Sequence, residues 1–213
     1  DYTLSYSNNI NATTEAIVNI VFTGNYSGNI VKNFTIVAKT LTADMISGLT
    51  TQTYTGNPIN PNFEIIYNLT NFLSDNDFIL NYRSNIDVGT AYIDITGKNN
   101  FVGSITAEFE IVARTLTIAD IDVKVLDECV YSGVAFTPKF EVSVGANKLT
   151  LNDYSYSYGA NINAGDGEIY LTFKGNYAGN VTVTFTISQA SVNAMTVNVS
   201  NNTIYDGASH TPN

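Results

Sequence analysis

The chain has 213 residues, 44% hydrophobic and only 13% charged, with nine Lys or Arg against nineteen Asp or Glu and a net charge of −10. That much apolar residue in so long a chain supports one to three packed domains and excludes a disordered polymer. A nucleic-acid role is excluded as well, because neutralising phosphates needs clustered Lys and Arg, and these nine are scattered.

Cys129 is the single cysteine, so no intrachain disulfide forms, and its expected place is that of a small buried hydrophobe. No apolar run approaches the roughly 18 residues of a membrane span, and no basic amphipathic stretch suggests docking on a membrane. No direct membrane insertion is therefore expected. The chain starts at Asp1 with no apolar leader, and it reads as a fragment of something longer.

The first element, "DYTLSY" at residue 1, returns as "DFILNY" at 77 and "DYSYSY" at 153, two steps of 76. The strand after it alternates with period two. Val18, Ile20 and Phe22 match Ala91, Ile93 and Ile95, and then Ile169, Leu171 and Phe173. Next comes the turn "GNYSGN" (Gly24, Tyr26, Gly28), repeated loosely as "GKNNFVG" (Gly97, Phe101, Gly103) and closely as "GNYAGN" (Gly175, Tyr177, Gly179). Gly and Asn tolerate positive φ, as tight strand connections require. The aromatic inside the turn is expected to plug one end of the fold.

The strand after the turn carries Phe34, Phe109 and Phe185 at steps of 75 and 76. In "VTVTFTI", Val181, Val183, Phe185 and Ile187 face one way and three Thr the other. The stretch "KTLTADMI" at 39 then reappears as "RTLTIADI" at 114. A last landmark, Tyr-x-Gly followed by Pro, occurs at Tyr54, Gly56 and Pro61, at Tyr131, Gly133 and Pro138, and at Tyr205, Gly207 and Pro212. One period of about 75 residues thus runs through independent landmarks, the signature of a repeat architecture.

The period divides the chain into 1–38, the closing half of an incomplete module; 39–113 and 114–188, two complete modules; and 189–213, the opening part of another. Many short strands with close turn signals predict an all-β fold, a tandem of small immunoglobulin-like β-sandwiches arranged as a rod. The complete modules carry −5 and −3 charges, and like charge favours extension.

The landmark "YDGASHTP", with "DYSYSYGANINAGDGEIYLTFKGNYAGNVTVTFTI", resembles the MBG/YDG-type Ig-like repeats of bacterial surface proteins, and does so across essentially the whole chain. The Asn163-Ala164-Gly165 turn fits that pattern, whereas the same place reads "NAT" at 11–13 and "DVG" at 87–89. The resemblance implies tandem extracellular modules of adhesins or cell-wall proteins and no catalytic residues.

The residues themselves offer little chemistry. The one His, His210, lies in the terminal segment, so a Ser-His-Asp arrangement has nothing to build on and no enzyme is expected. No cofactor is expected: the acidic stretches read as ordinary solvated loops, and the alternative is a Ca²⁺ site at a junction, with Asp77, Asp120 and Asp122 as its first ligands. Exposed Tyr92 and Tyr170 are the candidates for recognising a glycan or a host or neighbour-cell protein. The leading expectation is a non-enzymatic structural array, extracellular and on the cell surface or wall. It forms a stalk or fibre whose partners are neighbouring copies or modules; its half-modules read first as the cut ends of a longer protein, and alternatively as elements that mate head to tail between chains. The alternative is an adhesin binding module that uses Tyr-rich strand faces.

Overall fold

The computed structural model describes every residue except 69–70, 195, 197, 199–203 and 210–213, so His210 and Pro212 lie outside the described residues. Strands dominate. Helical structure among the described residues comprises the single 3-10 turns Ala43–Met45, Ile118–Asp120 and Val192–Ala194. The all-β expectation holds. The best helical candidate in the sequence, "LTADMISGL", forms one such turn and then the two-residue strand Ile46–Ser47.

Two compact units make up the chain: residues 1–115 with 173–179, and residues 116–172 with 180–213. In the first unit, strands Tyr2–Ser7, Thr13–Phe22 and Asn29–Ile36 form an antiparallel sheet in that order. Tyr6 lies opposite Val18, Leu4 opposite Ile20 and Tyr2 opposite Phe22. Residues opposite each other share a face, so the alternation in the sequence gathers the apolar side chains on one side.

A second sheet of the same unit runs Gln52–Thr53, Ser104–Val112, Gly89–Gly97, Phe78–Arg83. Its central strand is set by Ala91, Ile93 and Ile95, each 0% exposed. A third, smaller sheet joins Ile46–Ser47, Glu64–Asn68 and Asn71–Phe72. Leu41, Met45, Ile59 and Ile65 pack with Ala91, Ile93, Ile95 and Phe109 in one hydrophobic cluster, with Phe78, Leu80 and Tyr82 against it. Burying each such Ile contributes roughly 1.5–3 kcal/mol. The equivalent strand residues Tyr2, Leu4 and Tyr6 lack that cover and are 62%, 46% and 54% exposed.

The second unit holds the antiparallel sheet Asp122–Val125, Phe140–Val144, Asn147–Lys148, and a sheet of Tyr154–Tyr158, Gly165–Phe173 and Asn180–Ile187. Phe173 itself falls in the first unit. Leu116, Val142, Ile169, Leu171 and Ile187 are its most deeply buried apolar residues.

A cross-strand pair recurs with the sequence period. Phe34 faces Ala16, Phe109 faces Ala91 and Phe185 faces Gly167. Each ring lies opposite a small residue, and at Gly167 a Cβ would overlap the Phe185 ring.

Candidate functional site

The turn written three times in the sequence is one structure. The N–H of Phe22 donates to Gly28 O at 3.0 Å, that of Gly97 to Gly103 O at 2.9 Å and that of Phe173 to Gly179 O at 2.9 Å. Within the loop, Tyr26 N donates to Thr23 O, Phe101 N to Lys98 O and Tyr177 N to Lys174 O. Left-handed backbone falls at Gly24, Asn99 and Gly175, with φ of 75°, 60° and 70°, and again at Gly28, Gly103 and Gly179. The counterpart of Gly24 and Gly175 is therefore Asn99 rather than Gly97. Asn is the side chain that best tolerates this region. Gly97 serves close approach instead: a Cβ there would lie 2.9–3.1 Å from the backbone of residues 101–102.

Two of the three tips are docked, and in the same way. The Oδ1 of Asn100 accepts from the N–H of Ala12 at 2.7 Å, and its Nδ2 donates to Asn11 Oδ1 at 3.0 Å. The Oδ1 of Asn176 accepts from the N–H of Val88 at 2.9 Å, and its Nδ2 donates to Asp87 Oδ1 at 2.9 Å. Each donor–acceptor pair lies one step of 76 from its counterpart. The main-chain oxygens complete the match: Asn100 O accepts from Lys39 N at 2.8 Å, and Asn176 O from Arg114 N at 3.0 Å. Two-residue parallel pairings follow, Phe101–Val102 with Lys39–Thr40 and Tyr177–Ala178 with Arg114–Thr115. Every one of these residues belongs to the first unit. Each bond contributes about 0.5–1.5 kcal/mol net, and three bonds around one Asn fix both position and orientation.

The tip aromatics are buried at these joints. Phe101 is 8% exposed and edge-on to Tyr67 at 5.3 Å; Tyr177 is 8% exposed and edge-on to Tyr54 at 5.4 Å. The third tip differs: Tyr26 is 68% exposed, and Asn25 beside it is exposed.

The Tyr-x-Gly landmarks share a second geometry. Gly56, Gly133 and Gly207 have φ of 83°, 77° and 79°. The Tyr54 and Tyr131 hydroxyls lie 3.8 and 3.9 Å from where a Cβ on the following glycine would stand. Tyr205 is 89% exposed. Sequence reasoning missed the asparagines that tie this landmark down. Asn85 O accepts from Ile59 N, and its Nδ2 donates to Ile59 O; Asn161 does the same to Phe136. Asn100 and Asn176 were missed in the same way. The Asn shared by all three turns was visible, but it was read as a φ-tolerant residue when its side chain is the clamp.

The predicted ligands occupy other roles. Asp77 Oδ2 accepts from the N–H and Oγ of Ser74, and Asp153, one step of 76 later, does the same with Thr150. Asp120 closes a capping box with Thr117. Asp122 is exposed at the start of its strand, opposite Ser143. Among the described residues no three His, Cys, Asp or Glu gather where they could hold a metal ion.

Of the two predicted recognition tyrosines, Tyr92 is half-buried with the Arg83 guanidinium 4.9 Å above its ring. Arg83 in turn chelates Asp94, whose other partners are Thr106 and Asn81. The Arg83 hydrogen bond first, then that from Thr106, hold the Asp94 carboxyl far below the usual range. Tyr170 is 42% exposed, and its hydroxyl donates to Glu168, which raises its pKa.

The richer aromatic surface lies on the strand Tyr154–Tyr158 in the second unit. Phe140 meets Tyr154, Tyr156 and Tyr158 at ring separations of 6.3, 5.0 and 6.4 Å, and these four rings line a cleft of about 350 Å³. Cys129 is buried, and burial with the nearby Asp127 charge raises its thiol pKa, which keeps it protonated and inert. Comparisons with protein families, with curated proteins and with solved structures returned no match.

Proposed function

We propose that this chain is a segment of a non-enzymatic extracellular repeat array, the stalk or fibre section of a bacterial cell-surface protein. Its modules of about 75 residues are small Ig-like sandwiches of the MBG/YDG type, arranged as a rod. The observation that supports this reading is the joint. Asn100 and Asn176 make the same set of bonds to the same two places in the repeat, one period apart. A joint rebuilt in each period is what a linear array needs, since its stability sums module terms and neighbour terms. Single-molecule stretching tests the reading. Two successive unfolding events, each releasing roughly 25 nm of chain for about 75 residues, are expected from the two complete modules. A single event, or featureless extension, would overturn it.

A second reading, an adhesin module that recognises a glycan or a protein, draws on the cleft lined by Phe140, Tyr154, Tyr156 and Tyr158. Aromatic walls offer contact area at low entropic cost. A glycan array probed with the chain and with Tyr156→Ala tests it. Spots lost with the substitution favour recognition, and blank arrays count against it for glycans.

A further inference from the structure

We infer that the cleft walled by Phe140, Tyr154, Tyr156 and Tyr158 binds a pyranose sugar bearing a carboxylate, with the sugar's C–H face stacked on the rings and its charge met by Lys139. This rests on the recognition reading and names the ligand class for that cleft.

The preceding repeat supplies the comparison, because the two share their registers. Ile46 pairs with Ile65 and, one step of 77 later, Val123 pairs with Val142. Asp77 binds the N–H and hydroxyl of Ser74 as Asp153, one step of 76 later, binds those of Thr150. These registers match Asn62 to Lys139, Phe63 to Phe140 and Asp75 to Leu151, and they match Phe78, Leu80 and Tyr82 to Tyr154, Tyr156 and Tyr158. Three changes of character gather in the one cleft. Leu80, which packs against the hydrophobic cluster, gives way to Tyr156, which is 45% exposed. The exposed Asp75 gives way to Leu151, which is 61% exposed. The neutral Asn62 gives way to Lys139. The preceding repeat folds without any of these three side chains, so the scaffold does not require them. Large apolar groups left in water around one cleft mark a surface that something covers.

The lining points to the occupant. Aromatic faces beside hydroxyls suit a pyranose, which presents C–H groups on its faces and hydroxyls round its rim. The Tyr158 hydroxyl donates to Pro138 O at 2.6 Å and keeps its lone pairs for a ligand hydroxyl. Burial raises the pKa of Tyr154 and of Tyr158, so both phenols stay protonated. The volume of about 350 Å³ falls at the small end of the roughly 300–1,000 Å³ typical of ligand sites. Charge decides between a neutral and an acidic sugar. The exchanges at Asp75 and Asn62 turn a −1 lining into +1, in a chain whose net charge is −10. Among the described residues no carboxylate lines the cleft. The neighbouring carboxylates are occupied: Asp127 holds the N–H of Lys139, Asp153 holds Thr150, and Glu141 pairs with Lys148. The joint on the preceding repeat uses Tyr54, Asp87, Val88 and Arg114–Thr115, and none of these corresponds to a residue of the cleft. A neighbouring module docked in that way leaves the cleft open.

The test is an array of sialate- and uronate-terminated oligosaccharides beside their neutral parents, probed with the whole 213-residue chain, with calorimetric titration of the acidic glycan bound best. Acidic glycans bind, and their neutral parents bind roughly ten-fold more weakly. Tyr156→Leu and Leu151→Asp each install the residue of the preceding repeat and abolish binding. Lys139→Asn weakens the acidic glycan roughly ten-fold and leaves its neutral parent where it was. Unchanged thermal melts of the three variants exclude misfolding. No acidic glycan bound at millimolar concentration, or binding indifferent to Tyr156→Leu, overturns the inference. Neutral parents bound as tightly as acidic glycans, but lost with Tyr156→Leu, overturn the acidic ligand and leave the recognition reading standing. Poly-glutamate bound through Tyr156 in place of any sugar does the same. An array blank for sugars, with no poly-glutamate bound, counts against both.

Discussion

The side-chain oxygen of Asn176 accepts the backbone N–H of Val88 at 2.9 Å, across 88 residues of sequence. The same separation divides Asn100 from Ala12. The hairpin tip is thus a long-range contact built from a local motif, and its substitution should act on stability rather than on any local turn. Asn176→Ala is expected to lower the stability of the first unit by about 0.5–1.5 kcal/mol, because it deletes two solvent-exposed side-chain bonds. Chemical denaturation of the variant beside wild type measures this. A loss under a few tenths of a kcal/mol would mean that water substitutes freely for the amide.

The two joints differ at one position, and that difference makes a sharper prediction. Asn176 Nδ2 donates to a carboxylate, Asp87, whereas Asn100 Nδ2 donates to the amide of Asn11. Asn176→Asp sets two carboxylates against each other at the present 2.9 Å contact, and one of them must take up a proton or move away. The variant is therefore destabilised at pH 7 and recovers part of its stability as the pH falls below about 5. Asn100→Asp faces the amide of Asn11 rather than a carboxylate and shows no such recovery. Melting temperatures of both variants at pH 7 and pH 4.5 separate the two cases.

Much of the fold was legible because its pattern is periodic. The inward residues Ala91, Ile93, Ile95, Ile169, Leu171 and Phe173 are readable from alternation and are buried, but their alignment between repeats is not: the pairing aligns Val18 with Ile93 and Ile169, and Ala16 with Ala91 and Gly167, one residue pair away from the match that alternation suggests. The steps of 75 and 76 locate the equivalent turns, and applied strictly they pair Gly24 and Gly175 with Asn99 rather than with Gly97. What was not legible was the use of the polar side chains. Asn in a Gly-rich turn signals both backbone tolerance and side-chain bonding, and nothing local says which. The structure gives the first role to Asn99 and the second to Asn100, its neighbour. Asp77 and Asp120 likewise look like metal ligands in sequence because Ser or Thr three residues earlier does not announce itself as a partner. Tyr92 was expected to be open to a ligand, but a guanidinium from the adjacent strand covers it.

Asp94 and Arg83 form an exposed, bidentate pair, with Nε to Oδ2 at 2.6 Å and an η nitrogen to Oδ1 at 3.0 Å. The folded pKa of Asp94 is depressed. The contribution of this pair is therefore present above the unfolded value near 3.9 and lost as pH falls through the lower folded value. NMR titration of the Asp94 carboxyl carbon should show it among the last groups to protonate. Arg83→Ala should move its midpoint upward toward the ordinary range. A midpoint unmoved by that substitution would assign the depression to Thr106 and Asn81 instead.

Cys129 is expected to react with a thiol reagent only when the second unit opens. It is 5% exposed, and its pKa is raised by burial and by Asp127. Labelling in native buffer should be slow, with a rate that climbs as denaturant approaches the unfolding midpoint. Fast labelling of the native protein would show that the site opens locally.

Gly167 is the most demanding position in the second unit. It is buried and lies opposite Phe185, whose ring occupies the space a Cβ would take. The equivalent places, opposite Phe34 and Phe109, hold Ala16 and Ala91, so the backbone of the repeat accepts Ala and the obstacle at 167 is the ring alone. Gly167→Ala forces the ring to shift within a packed core, which costs roughly 1–3 kcal/mol. The gain from a less flexible unfolded chain, about 0.4–1 kcal/mol, is smaller and works the other way, so the variant should be net destabilised. Adding Phe185→Leu to Gly167→Ala vacates the contested space. The double variant should then lose less stability than the two single losses added together, a coupling measurable in a double-mutant cycle. Strict additivity would place the strain of Gly167→Ala in the backbone, and the repeat would then differ at this strand in conformation as well as in side chain.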